Sequence, residues 1–136
     1  MTVLTGGCHC GAIRYAAEGS VFDETVCHCS VCRRTSGAPL IAWFTVAPAG
    51  FRFTQGTPID YWSTAHGMRR FCPACGTQLT FQSTDHPNEL DVTTASLDDP
   101  EQVPPLDHTW APDAVSWIWR LDALPRFRRQ RDDPED

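Results

Sequence analysis

The 136-residue chain contains no lysine: all 11 of its basic residues are arginine, set against 17 acidic residues for a formal net charge of −6. Without a side-chain amine, Schiff-base catalysis is closed. The negative balance disfavours an extended nucleic-acid surface, because such surfaces draw most of their affinity from cationic contacts to phosphate. No run of about 18 apolar residues is present, so no membrane-spanning helix is expected. The opening Met1-Thr-Val-Leu-Thr-Gly-Gly-Cys8 lacks a charged segment followed by an apolar one. No signal peptide is therefore expected, and a cytoplasmic location is. Helix-length amphipathic stretches are scarce as well: one helical turn after Cys29 and another around Asp122–Leu124 are all the pattern allows.

Short apolar segments take their place. Ile13 and Tyr15 alternate with smaller or polar neighbours, Leu40–Val46 is a continuous apolar run, and Phe51/Phe53, Ile59/Tyr61, Leu79/Phe81 and Leu90/Val92 each show the period of two of a half-buried strand. Gly37-Ala-Pro39, Pro48-Ala-Gly50, Gly56-Thr-Pro58 and Pro104-Pro105 punctuate them. Many short strands with frequent turns predict a mainly β fold, without choosing between sandwich, barrel and small open sheets. The length suits one domain, expected over residues 1–127. Arg128-Arg-Gln-Arg followed by Asp-Asp-Pro-Glu-Asp136 is expected to be a solvated, disordered tail over 128–136. Trp43, Trp62, Trp110, Trp117 and Trp119 are numerous enough to line a pocket, but core packing is the expected use of most of them.

Seven cysteines are the strongest feature, and they are clustered: Cys8-His-Cys10, Cys27-His-Cys29-Ser-Val-Cys32 and Cys72-Pro-Ala-Cys75. An odd number without a secretory signal fits poorly with a disulfide framework. Thiolates are preferred Zn2+ ligands, and a Cys-x-x-Cys pair followed by a glycine such as Gly76 turns two sulfurs toward one ion. Gly6-Gly7 and Gly11 frame Cys8 and Cys10 in the same way. A redox dithiol at Cys72/Cys75 is disfavoured, because such motifs precede a helix in a βαβ unit whereas Thr77–Gln82 reads as a strand. A pair supplies only two ligands, and its tetrahedron is completed by Cys8/Cys10 or by members of the Cys27–Cys32 cluster. Seven also divides into a closed site of four thiolates and a site of three with one position open. Open-position zinc is the arrangement of catalysis, and it would accept a thiol substrate as thiolate.

The histidines at 9 and 28 each lie between two cysteines. In an extended segment they face away from an ion that the cysteines face, so neither is expected as a ligand. His66 and His86 fall in polar loops. Arg14, Arg33, Arg34, Arg69 and Arg70 lie near the cysteines and are expected to balance thiolate charge; Arg33 or Arg34 is also a candidate clamp for a substrate carboxylate. Ser30 and Thr35 are candidates to orient a substrate, and His28 or a bound water to move a proton.

Gly7-Cys-His-Cys-Gly11, Cys27-His-Cys-Ser-Val-Cys-Arg-Arg-Thr-Ser-Gly-Ala-Pro39 and Phe71-Cys-Pro-Ala-Cys-Gly-Thr-Gln-Leu79 resemble the glutathione-dependent formaldehyde-activating enzyme family, also called the GFA or centromere protein V family. His108-Thr-Trp110, Trp117 and Leu124-Pro-Arg-Phe127 look like its C-terminal signature. The resemblance implies a small zinc-binding domain of the β-tent type, built of short antiparallel strands. It implies that Cys8, Cys10, Cys72 and Cys75 hold a structural Zn2+, and that Cys27, Cys29 and Cys32 hold a second Zn2+ of catalytic type. It further implies carbon–sulfur lyase chemistry, the reversible addition of glutathione or a similar thiol to formaldehyde or another small aldehyde. The expected partners are therefore a small-molecule thiol and an aldehyde, with no nucleic acid and no membrane. A non-catalytic zinc-binding module and a thiol redox or metal-responsive protein are the alternatives on the same fold.

Overall fold

The computed structural model describes residues 3–131, so the expected tail from residue 132 onward lies outside the described residues. Ten short strands form two sheets, a mainly β architecture. The smaller sheet is antiparallel, in the order β1 (Leu4–Gly7), β2 (Arg14–Ala17), β5 (Phe51–Gln55). The larger sheet runs β10 (Asp107–Thr109), β3 (Phe22–Cys27), β4 (Ile41–Val46), β9 (Leu90–Thr93), β8 (Gln78–Ser83), β7 (Gly67–Phe71), β6 (Ile59–Trp62). Its pairs are antiparallel except β10, which lies parallel to β3.

Placement explains the sequence patterns. Strand β4 has partners on both sides and is buried along nearly its whole length, so its residues are apolar on both faces, broken only by Thr45, rather than alternating. Its Phe44 and Val46 meet Tyr15, Leu79 and Val92 in the main core, where full burial of each aliphatic or phenyl side chain contributes about 1.5–3 kcal/mol. Strand β6 shows the same alternation but lies at the sheet edge, where all four residues are exposed.

Four strands carry no such pattern. In β3 two acids interrupt the apolar residues, and the register with β4 shifts between Phe22 and Thr25, where Asp23 adopts a left-handed φ of 53°. Strand β7 holds two arginines yet is paired on both sides. In β1, Gly6 is the requirement: a Cβ there would overlap the Tyr15 hydroxyl and the Ser96 carbonyl. Short β10 is fixed by its pairing with β3 rather than by its own three exposed residues.

Helix α1 spans Ser30–Ser36, longer than the single turn expected. Cys29 caps its start, with Sγ accepting from the Cys32 amide, and left-handed Gly37 closes it by donating to the Arg33 carbonyl. Arg33 and Arg34 sit in the last turn, where positive charge suits the helix dipole. Near the C-terminus the expected turn around 122–124 is part of a longer run of 3-10 turns, Ser116–Ala123. Of the five tryptophans only Trp43 is buried, which corrects the expectation that most pack in the core.

Candidate functional site

The structure gathers the seven cysteines into two groups, none of them disulfide-bonded. Cys8 and Cys10 lie in the β1–β2 connection, Cys72 and Cys75 in the β7–β8 connection, and their four Sγ atoms are all within 4.8 Å of one another. The group therefore bridges the two sheets. Cys8 to Cys10 is 3.6 Å and Cys10 to Cys72 is 3.7 Å. The edge of a tetrahedron with Zn–S of about 2.3 Å is roughly 3.8 Å, so four soft donors stand at the separations such an ion requires.

The turns supply further support for anionic sulfur. The Ile13 amide donates to Cys8 Sγ at 3.2 Å, and the Ala74 and Cys75 amides donate to Cys72 Sγ at 3.4 and 3.5 Å. The Thr77 hydroxyl, 3.2 Å from Cys75, holds that thiol well below its usual range, at about 5. Each turn is closed by a glycine in left-handed backbone, Gly11 at φ 82° and Gly76 at φ 80°, as the flanking glycines predict.

The second group is local. Cys27 ends β3, Cys29 caps α1 and Cys32 lies in its first turn, and their sulfurs also lie within 4.8 Å of one another. The Cys32 thiol donates to Cys27 Sγ at 3.4 Å, which lowers the pKa of Cys27 and raises that of Cys32. Three donors leave a tetrahedral ion one place short, and here the group lines a cavity of about 740 Å³.

Arg69 lies on the same cavity. Although 4% exposed, it carries a charge that lies against Cys32: Nη2 is 3.6 Å from Sγ. Its guanidinium sits 5.0 Å from the Phe81 ring centre and 5.8 Å from that of Trp43, and Nε donates to Ser63 Oγ at 3.0 Å. Among the described residues, its buried Nη1 has no partner. A buried cation is costly unless an anion faces it, so this contact favours thiolate at Cys32.

Sequence reasoning missed Asp91, which also lines the cavity. It accepts from Thr45 Oγ1 at 2.7 Å, and burial raises its carboxyl to about 6. No motif marks it; the signal was only an acid inside a strand pattern, Leu90-Asp-Val92. His28, expected as a proton carrier, is fully buried and does not line this cavity. Its Nε2 is 2.9 Å from His108 Nδ1, and both rings pack on Trp119. Burial, then the charge of His108, lowers its pKa. Neither His9 nor His28 joins a metal-competent group.

The other expectations divide. Ser30, Trp43 and Trp110 line the cavity; Arg33 and Arg34 do not, and Arg34 lines a separate one beside Tyr61 and Gln78. Thr35 donates to the Val31 carbonyl at 2.7 Å, a local helix bond. Arg14 is engaged elsewhere, donating through both terminal nitrogens to Asp98.

A family model described as glutathione-dependent formaldehyde-activating enzyme matches residues 3–113. A Halomonas elongata protein named "Putative glutathione-dependent formaldehyde-activating enzyme" is 28% identical over 126 residues, covering 85% of this chain and 80% of its own length. The crystal structure of a Rhodobacter sphaeroides protein, 27% identical, superposes with a TM-score of 0.63 over 77% of this chain and 99% of that one.

Proposed function

The chain belongs to the glutathione-dependent formaldehyde-activating enzyme family, and on that premise we propose that it is a carbon–sulfur lyase, adding a thiol reversibly to formaldehyde or another small aldehyde in the cavity beside Cys27, Cys29 and Cys32. The observation that carries the reading is a three-thiol group opening on a cavity, distinct from a four-thiol group that bridges the sheets. Cys8, Cys10, Cys72 and Cys75 would hold a structural Zn2+, and Cys27, Cys29 and Cys32 a catalytic one. Glutathione is the thiol that the family's name gives.

The reaction joins the thiol sulfur to the carbonyl carbon, opens the C=O π bond and moves one proton from sulfur to oxygen; the reverse breaks the C–S bond. Zinc held by three thiolates, when bound, supplies Lewis acidity and stabilises a thiolate at neutral pH. The protein's own part is threefold. Arg69 offsets the anionic charge at Cys32, and among the described residues both N–H groups of its Nη1 are without a partner. Asp91, titrating near neutrality, takes the thiol proton and returns it to the alkoxide oxygen. Trp43 and Phe81 wall the cavity with apolar surface, which holds the reactants together and strengthens the local electrostatics.

Exchange NMR of formaldehyde with a thiol tests the reading. Zinc-loaded protein is expected to accelerate exchange, and Cys32→Ser is expected to abolish the acceleration. Equal exchange with and without protein, at two zinc ions per chain, would overturn it.

A further inference from the structure

Arg69 lines a second cavity besides the one that holds the three thiols, of about 380 Å³. Helix α1 contributes Arg34 and Thr35 to its wall, β6 Tyr61, β7 Arg69 and Phe71, and β8 Gln78. Strand pairing brings these residues together: Tyr61 stands opposite Arg69 across β6 and β7, and Phe71 opposite Gln78 across β7 and β8. The cavity is lined by two cations and no acid. Among the described residues the exposed Arg34 guanidinium forms no ion pair, and Arg69 has none either. Its field is therefore uniformly positive.

Two buried atoms of its lining residues lack the partners they require. Arg69 donates from Nε to Ser63 Oγ and from Nη2 to Cys32 Sγ, and both of those residues line the thiol cavity but not the second one. A guanidinium carries five N–H donors in one plane, so Nη1 is the nitrogen left for the second cavity. It is buried and, among the described residues, unpartnered. Gln78 supplies the opposite kind of atom. Its Nε2 donates to the Thr35 carbonyl, which leaves the buried Oε1 as an acceptor, again without a partner among the described residues. A buried donor or acceptor left unmatched is costly. A ligand that brings an anionic oxygen with an N–H beside it satisfies both.

Resting on the thiol–aldehyde reading above, we propose that this second cavity holds the C-terminal carboxylate of a peptide thiol, the glycyl end of glutathione, between Arg34 and Arg69, with Gln78 Oε1 accepting from the glycyl N–H. The other end of glutathione, a carboxylate beside an ammonium, would bring a cation to a cavity that already has two. The reach suits a peptide: the two cavities meet at one guanidinium, and an extended cysteinyl-glycine end spans roughly 7 Å. Its sulfur meets the Cys27–Cys29–Cys32 group on one side of Arg69 while its carboxylate lies on the other. Arginine is the residue whose fork of donors matches a carboxylate in two parallel bonds, so Arg34 and Arg69 determine specificity for a carboxylate-bearing thiol. Small thiols without a carboxylate forgo that contact.

Calorimetric titration of the zinc-loaded protein with glutathione and with its glycyl ethyl ester, which lacks only that one carboxylate charge, tests the proposal. Glutathione is expected to bind at least tenfold more tightly than the ester. In Arg34→Gln, a substitution at an exposed helical position, the ratio of the two affinities should fall about fivefold or more. A merely structural role for Arg34 would weaken both ligands alike and leave the ratio unchanged. An ester that binds as tightly as glutathione, a ratio unchanged in Arg34→Gln, or no detectable binding of glutathione overturns the proposal whether or not turnover is seen. Exchange NMR with formaldehyde reads the reaction separately. Glutathione bound in preference to its ester, with no acceleration of exchange for any thiol, leaves the carboxylate site standing and overturns the lyase reading instead.

Discussion

Arg69 Nη2 stands 3.6 Å from Cys32 Sγ, and the guanidinium that makes this contact is buried against Trp43 and Phe81. A charge placed there has no water to stabilise it, so the arginine and the sulfur depend on each other. Replacing Arg69 by Met keeps most of the volume and removes the charge. Affinity for the second metal ion is expected to fall about tenfold or more, which is about 1.4 kcal/mol, while the four-thiol group keeps its ion. Chelator competition that releases both ions as in the wild type would contradict this.

The two thiol groups should fail differently. Cys8 and Cys10 are separated from Cys72 and Cys75 by some sixty residues and connect the two sheets, whereas Cys27, Cys29 and Cys32 close only a short segment. Cys72, fully buried in the main core, is the more damaging loss. Cys72→Ser is expected to destabilise the fold by about 3 kcal/mol or more, because metal binding is coupled to folding across the sheets. Cys32→Ser should lose one ion per chain and keep most of the melting temperature. Denaturation with metal counting distinguishes the two.

Asp91 gives the pH dependence. Burial raises its carboxyl from 3.8 to about 6, so the fold favours the neutral form. That preference stabilises the protein below about pH 4 and is lost as pH rises through 6. Asp91→Asn is accordingly expected to be about 1–3 kcal/mol more stable than the wild type at pH 8, and no more stable at pH 3.5. Turnover should show the reverse cost. The wild-type rate is expected to fall as pH drops through about 6, and Asp91→Asn should lose that limb along with most of the activity. A limb unchanged in the variant would assign the proton to another group.

His28 tests the support beneath the second group. Fully buried and 2.9 Å from His108, it holds the chain between Cys27 and Cys29 against the strand that carries His108. His28→Ala leaves a cavity and an unpaired partner, and is expected to cost about 2–3 kcal/mol in urea denaturation. Metal content at the four-thiol group should be unaffected.

Cysteine spacing revealed both thiol groups before any fold was known, because the turns that aim them are local and their glycines are legible. Strands whose apolar residues alternate, β5, β8 and β9, and the continuous β4 were legible for the same reason. Strands β3 and β7 were not, since their charged residues are accommodated by a register shift and by neighbours distant in sequence. The cavity was legible through its thiols, through Ser30 as a candidate to orient a substrate and through Arg69 among the arginines expected to balance thiolate charge; Trp43 and Trp110 belonged to a set expected mostly in the core. Asp91, and the role of Arg69 beside Cys32, depend on β7 and β9 lying in one sheet with β3 and β4, a relationship that no spacing within one segment records. His28 shows the converse: its position between two ligand-type cysteines suggested proton chemistry, but the fold turns it into the packing beside Trp119.

Zinc-edge X-ray absorption of the zinc-loaded protein, before and after adding thiol, addresses the central claim most directly. A closed four-sulfur site together with an open three-sulfur site should give a mean sulfur count between three and four per zinc, rising to four when the thiol binds. Four sulfurs at the outset with no change on adding thiol, or a single zinc per chain, would contradict an open thiol-binding metal at Cys27, Cys29 and Cys32.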